Sequence, residues 1–355
     1  MREYKWTSCI ALATTALVVL GLTSCNSASV GTVVQASGRP GEVMLVMGAQ
    51  ELETQQAYKL VDMLEQEAPS LPQVEPSLRV TSRITHDQFG GMMRLARTIL
   101  MVNVDKERYT KSTLKFGYNE WAKGQIVISV NTPSLDSLAS FASENEELLM
   151  NLIVRHELYR FASGTNEKSS QRTKELVDSL FKHTINVPAS INKQKVGKDF
   201  LWMSNASMDG RTDLMVYTFP YTKRKDLEMD RLVEVRDSVL RVNIPGEFKD
   251  SYPSTVKTGL YFRRVTIPNQ PTRSELRGLW QMEGGAMMGG PFVMQAYHNE
   301  ADGKVYVFEG FVYRPNEDKL NLIRTIEAAL YTARPSSEKS YDPELILASK
   351  YSKSF

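Results

Sequence analysis

Both cysteines of this 355-residue chain, Cys9 and Cys25, sit near its N-terminus. No disulfide can form beyond Cys25, so the body of the chain has to hold by packing, hydrogen bonds and ion pairs. Cysteine nucleophiles and thiolate metal sites are excluded with the disulfides. Four histidines, His86, His156, His183 and His298, are too few for a His-rich centre. No metal and no cofactor are expected. The charge is nearly even, 43 basic against 41 acidic residues for a net +2, which leaves no nucleic-acid footprint.

The start of the chain carries Arg2 and Lys5, then an apolar run from Cys9 to Leu22 interrupted only by Thr14, Thr15 and Gly21. That is the charged, apolar and small-residue order of a secretory signal. The run is shorter than the roughly 20 apolar residues a spanning helix needs. Its ending, Leu22-Thr23-Ser24-Cys25, resembles the lipobox of bacterial lipoproteins, in which the Cys is diacylated and the signal is cut just before it. The resemblance implies a signal peptide over 1–24, lipidation at Cys25, and palmitate-type chains as the membrane anchor. Two or more chains anchor stably where one is marginal, because each buried methylene contributes about 0.8 kcal/mol. Residues 25–40, small and polar up to Ser37-Gly38-Arg39-Pro40, read as the lipidated Cys and a tether.

Beyond the tether, strands and helices alternate. Strands are expected at Val43–Met47, about 78–84, Thr98–Val102 and Ile126–Val130, with helices at about 50–67, 86–96 and 167–183. Thr132-Pro133 reads as the start of one helix running to about Ala162, a hydroxyl cap followed by Pro. The second half is expected to hold strands at about 198–204, Asp213–Phe219 and Leu260–Val265. Helices are expected at about 224–242 and 272–279, a hairpin from Pro291 to Tyr313 around Asp302-Gly303, and a last helix over 317–332. The fold class is α+β. Two adjacent mixed domains, 41–190 and 191–335, carry largely antiparallel sheets with helices packed on their faces, and 336–355 reads as a polar tail.

The short motifs dissolve on inspection. His156-Glu157 lacks the His one turn on that a zinc protease needs; Arg160 stands there, so a charged helix face is expected. Glu283-Gly284-Gly285-Ala286-Met287-Met288-Gly289-Gly290 is glycine-rich but continues into Pro291, not into the Lys-Ser/Thr of a phosphate loop. Ser112-x-x-Lys115, Ser190-x-Asn192 and Lys257-Thr258-Gly259 mimic the Ser-Lys set of penicillin-binding proteins, yet Ser112 stands in a strand-rich stretch rather than at a helix start. Glu283 and Glu309 flank the hairpin and suit sugar hydrolysis only if the two carboxyls sit close together. Asp136-Ser137-Leu138, Asp178-Ser179-Leu180 and Asp237-Ser238-Val239 resemble an O-glycosylation signal of exported Bacteroidota proteins, although all three fall in expected helices.

Several stretches are familiar together: Gly41-Glu42-Val43, Asn119-Glu120-Trp121-Ala122, Arg236-Asp237, Asn243-Ile244-Pro245-Gly246, and Arg277-Gly278-Leu279-Trp280 with Met288-Gly289-Gly290-Pro291-Phe292. With the lipobox they resemble a Bacteroidota lipoprotein family catalogued as domain of unknown function 4837. The resemblance implies a Gram-negative envelope and assigns no catalytic residue; the residues after Cys25 lack the acidic run that resembles a surface-export signal, which favours an outer-membrane anchor with the body on the periplasmic side. The expected activity is therefore binding or structural, with the membrane as one partner and an envelope protein or cell-wall material as another. Arg277, Trp280, Met287, Met288 and Phe292 form the candidate binding surface, since Met and aromatic side chains suit adaptable contacts. The alternative is a carboxylate-dependent hydrolase of peptidoglycan or glycan.

Overall fold

The computed structural model describes residues 34–352 except 208, 209, 286 and 339, so the signal, Cys25 and the first part of the tether lie outside the described residues. From Gln35 onward the tether is already docked. Ala36 N donates to Lys123 O (3.0 Å), Ser37 N to Leu95 O (2.7 Å), and Arg97 Nη1 reaches Gly38 O (3.1 Å).

The first domain is a five-stranded sheet: β1 Glu42–Met47, β2 Arg79–Thr85, β3 Thr98–Val104, β4 Thr113–Tyr118 and β5 Ile126–Thr132. Its order is β2-β1-β3-β5-β4, with the first four strands parallel and β4 antiparallel at the edge. Parallel central strands are buried on both faces, which is why Val43–Met47 is apolar without alternation. Val43, Leu45 and Met47 face one core with Leu100 and Ile128, while Met44, Val46 and Ile99 pack on the other side. Helices α1 Gln55–Leu64, α2 Leu135–Glu144 and α3 Glu146–Glu167 cover the first face.

Two helices replace the single one expected after Thr132. Thr132 is still in β5, and the cap is Ser134, whose hydroxyl accepts from Ser137 N (3.1 Å). Asn145 then leaves helical geometry, and both its backbone and side-chain N–H groups turn to Phe141 O, which separates α2 from α3.

The second domain follows α4 Gln171–Phe181 and β6 His183–Thr184. Its strands are β7 Lys193–Gly197, β8 Phe200–Ser204, β9 Arg211–Pro220, β10 Tyr252–Thr255, β11 Tyr261–Thr266, β12 Arg273–Glu283, β13 Gly289–Asn299 and β14 Lys304–Tyr313. Helix α5 Met229–Asn243 precedes β10, and α6 Leu320–Tyr331 follows β14. The chain closes with β15 Arg334–Pro335, the short α7 Glu344–Leu347 and β16 Lys350–Ser352. The nine-stranded sheet is antiparallel throughout, in the order β16-β11-β12-β13-β14-β9-β8-β7, with β10 sharing the edge of β12; β15 pairs β6 apart from it. Together the two domains make an α+β protein with largely antiparallel sheets.

Three expectations change here. The helix expected near 272–279 is the strand β12. Residues 344–352 are not a loose tail, because β16 pairs β11 and Ile346 is buried. The domain join precedes the expected 190–191 boundary: Val177, Phe181, Ile185 and Val187 all pack in the second core, so the changeover falls between α3 and α4.

Strand alternation gives the nine-stranded sheet two distinct faces. Val293, Phe308 and Val312 pack against Ile323, Ile326 and Leu330 of α6, whereas Phe292, Met294 and Phe311 pack against Leu232 and Leu240 of α5. The domains meet where α3 lies on α6. The N-cap of α6, Lys319, makes no side-chain cap bond. Glu75 of the first domain supplies the cap instead, accepting from Lys319 N (2.8 Å) and Leu320 N (3.0 Å). Among the described residues, no helix is long and apolar enough to cross a membrane.

Candidate functional site

β12 begins Arg273-Ser274-Glu275-Leu276-Arg277, with charges at every second position. That spacing puts all three charges on one face of the sheet, the one that α6 covers. The cross-strand partners of Glu275 are Arg263 on β11 and Gln295 on β13, so register alone builds a row across three strands. Glu275 Oε1 accepts from Arg263 Nε (2.8 Å) and Arg277 Nε (3.1 Å), and Oε2 accepts from Gln295 Nε2 (3.0 Å). From α6, Glu327 Oε1 accepts from Arg277 Nη2 and, at 3.4 Å, from Arg263 Nη2. One turn earlier, Arg324 spends Nη2 on Ser77 O of the first domain (2.7 Å).

These residues floor a cleft of about 530 Å³ between the domains, a size ordinary for ligand pockets. Its walls come from Leu71 and the loop before it, Met150 and Asn151 of α3, Tyr261 and Leu320. Glu144, Glu146 and Glu147, at the α2–α3 break, line its solvent side. The floor carries three guanidiniums against two carboxylates. Nη1 of Arg263, Nη1 of Arg277 and Nη1 of Arg324 have no hydrogen-bond partner among the described residues and are not sealed from solvent. Burial pushes the Glu275 carboxyl up, but Arg263 and Arg277 outweigh it and leave it below the ordinary carboxylate value. Burial dominates at Glu327, which is raised despite Arg277. The floor is cationic, with donors to spare.

On the opposite face a second ionic centre is closed. Arg236 Nε donates to Glu309 Oε1 (2.7 Å), Arg236 Nη1 to Thr255 Oγ1 (2.8 Å), and Tyr217 OH to Glu309 Oε2 (3.1 Å). The Phe292 ring lies 3.9 Å from the guanidinium carbon.

The five residues of the candidate binding surface do not form one surface. Arg277 is in the cleft floor. Phe292 is buried, touching the cleft from one side and Arg236 from the other. Trp280 is buried with Nε1 donating to Val312 O (3.1 Å), a fit that requires Gly290, where any Cβ would collide with that carbonyl. Trp280 and Met288 line a separate apolar pocket of about 260 Å³ with Trp202, Met282 and Tyr313. Met287 is wholly exposed.

The other motifs are placed as follows. His156 and Glu157 are buried rather than on a solvated face. Glu157 takes a two-pronged ion pair from Arg97 (3.0 and 2.7 Å) and a bond from Gly41 N (3.1 Å). Among the described residues no group of three His, Cys, Asp or Glu side chains could hold a metal. Ser112 Oγ bonds Thr132 Oγ1 (2.8 Å) in the first domain, while Lys257 pairs Asp237 in the second. Glu283 bonds Ser254 Oγ (2.8 Å) at an exposed strand end, and strand alternation puts it on the face opposite the sealed Glu309. Asn119 holds a left-handed turn by accepting from Gly124 N (2.6 Å), and Gln125 donates to Arg94 O and Ala96 O (2.6 Å each). The cleft itself was missed. Its signal was the alternating charge of β12, which hides in a search for alternating hydrophobicity.

Residues 169–332 match the family model described as domain of unknown function (DUF4837), and residues 36–166 match domain of unknown function (DUF8532). The two matches meet where α3 gives way to α4. No curated protein matches the chain. Among solved structures, the 1.9 Å crystal structure of the Saccharomyces cerevisiae Ran-binding protein Mog1p aligns at a TM-score of 0.29 and 8% identity. The alignment covers 43% of this chain and 90% of that one. A point mutant of protein Mog1 aligns at 0.27, with 8% identity and the same coverage. Likenesses this slight carry no argument about this chain.

Proposed function

We propose that this protein is a lipid-anchored binding module of the bacterial cell envelope, with the cleft between its two domains as the ligand site. The observation that carries the reading is the cleft floor: three guanidinium groups that are not fully hydrogen-bonded line a concave, solvent-connected space of ligand size. Buried donors normally find partners, so a floor with donors left over is suited to a guest. Support for the anchor is the sequence alone, Leu22-Thr23-Ser24-Cys25 behind a short apolar run. A Gram-negative envelope and a Bacteroidota source are supported by the family resemblance, and the periplasmic side by the lack of an acidic run after Cys25.

Two measurements test this. Labelled palmitate is expected to enter the full chain expressed in a Gram-negative host and to vanish with Cys25→Ala; equal labelling of that variant would remove the anchor. A photo-crosslinking residue at Met150, in the cleft, is expected to capture a ligand from native envelope that the same residue at Val242, exposed on α5, does not. Identical capture from both positions, or none from Met150, would overturn the cleft as the ligand site.

A further inference from the structure

The cleft is charged in two layers, and the layers have opposite sign. Its floor holds Arg263, Arg277, Arg324 and Glu327, with Glu275 paired to the first two arginines, and its solvent side holds the exposed carboxylates of Glu67, Glu144, Glu146 and Glu147. Resting on the reading of this cleft as the ligand site, we infer that its ligand is zwitterionic, with an anionic group seated on the arginine floor and a primary ammonium held at the glutamate mouth. The floor suits the anion: Arg263 and Arg324 line the cleft at only 8% and 4% exposure, and the Nη1 group of each has no hydrogen-bond partner among the described residues. Guanidinium forks match carboxylate and phosphate alike. A plain anion would have to pass these carboxylates to reach them, and a plain cation would meet an excess of positive charge at the bottom. A molecule carrying both charges satisfies both layers. The shared chemistry belongs equally to a peptide with free termini and to a phosphoethanolamine headgroup.

Calorimetric titration of the purified full chain separates these cases, with trialanine, N-acetyl-trialanine, trialanine amide and phosphoethanolamine as probes. Trialanine is expected to bind, and the acetylated and amidated forms each to bind about tenfold more weakly or worse, the loss of one charged hydrogen-bonded contact. Phosphoethanolamine binding tighter than trialanine would assign the headgroup as the source; the reverse order would assign a peptide. The exposed Glu147→Gln, at the start of α3, is expected to bring trialanine down to the affinity of its acetylated form while leaving the acetylated form unchanged. An acetylated peptide that binds as tightly as trialanine, or four probes that all fail, would overturn the inference. Crosslinking from Met150 that captures a ligand without an amine would overturn this inference alone; a cleft that captures nothing would overturn the reading beneath it.

Discussion

The nine-stranded sheet buries an arginine–carboxylate centre on each face, and the two are built for different ends. On the α5 face, Arg236 and Glu309 are closed in by Tyr217, Thr255 and Phe292, and both side chains are wholly inaccessible. On the α6 face, Arg263 and Arg277 grip Glu275 and Glu327 in the same chemistry, but an edge of each guanidinium opens to the cleft. A closed pair depends on each partner being present, since desolvation costs several kcal/mol per ion, and burial pushes the Glu309 carboxyl up even with Arg236 beside it. An open pair is relieved by water and can exchange that water for a guest. The same residue types thus make a structural fastener on one face and a receptive surface on the other. Enclosure makes the difference.

The largest expected effect breaks the closed centre. Glu309→Ala leaves Arg236 charged and buried, and urea unfolding is expected to show a loss of about 3–5 kcal/mol. The paired replacement Arg236→Met with Glu309→Leu should recover most of that. A loss below about 1 kcal/mol for the single variant would mean that water reaches this face too. Arg277→Met in the open centre is expected to cost less, about 1–3 kcal/mol, because Arg263 still pairs both carboxylates and solvent is at hand. Stability loss equal to that of Glu309→Ala would erase the distinction between the faces.

The smallest effect concerns His156, buried without a partner for either ring nitrogen among the described residues, and stacked on Tyr118 at 5.6 Å. Burial first, then Arg160 and Arg97, lower its pKa from 6.5 to about 3. As pH falls below 6.5 the unfolded chain takes up a proton that the folded chain refuses until about pH 3, so stability declines across that window. Near pH 5.5 the decline from this one group is about 1.4 kcal/mol. His156→Phe should flatten the unfolding-versus-pH curve there, and an unchanged slope would show that the ring is not held neutral.

Where burial is apolar, the sequence was readable. Val43–Met47, the hairpin around Asp302-Gly303 and the amphipathic stripe of α6 all appear where the pattern puts them. Where burial is ionic, it was not. Arg273, Glu275 and Arg277 fall in a stretch expected as a short helix, because nothing local says that Arg263, Gln295 and Glu327 will arrive to pair with them across a sheet. His156-Glu157 is hidden for the same reason, since Arg97 comes from the segment just before β3, 60 positions away. The cleft, made by residues from both domains, depends on contacts between positions far apart in the chain. A pattern can announce that a residue will be buried by its own oiliness, but a salt bridge announces itself only when both ends are known.

The cap that Glu75 places on α6 reaches across 244 positions of the chain. During synthesis the first domain emerges and can fold ahead of the second, so the acceptor for Lys319 N and Leu320 N is waiting before those residues exist. The first domain therefore serves as an assembly jig for the second. A chain cut between α3 and α4 would leave α6 to begin without its clamp, and the cleft with only one wall.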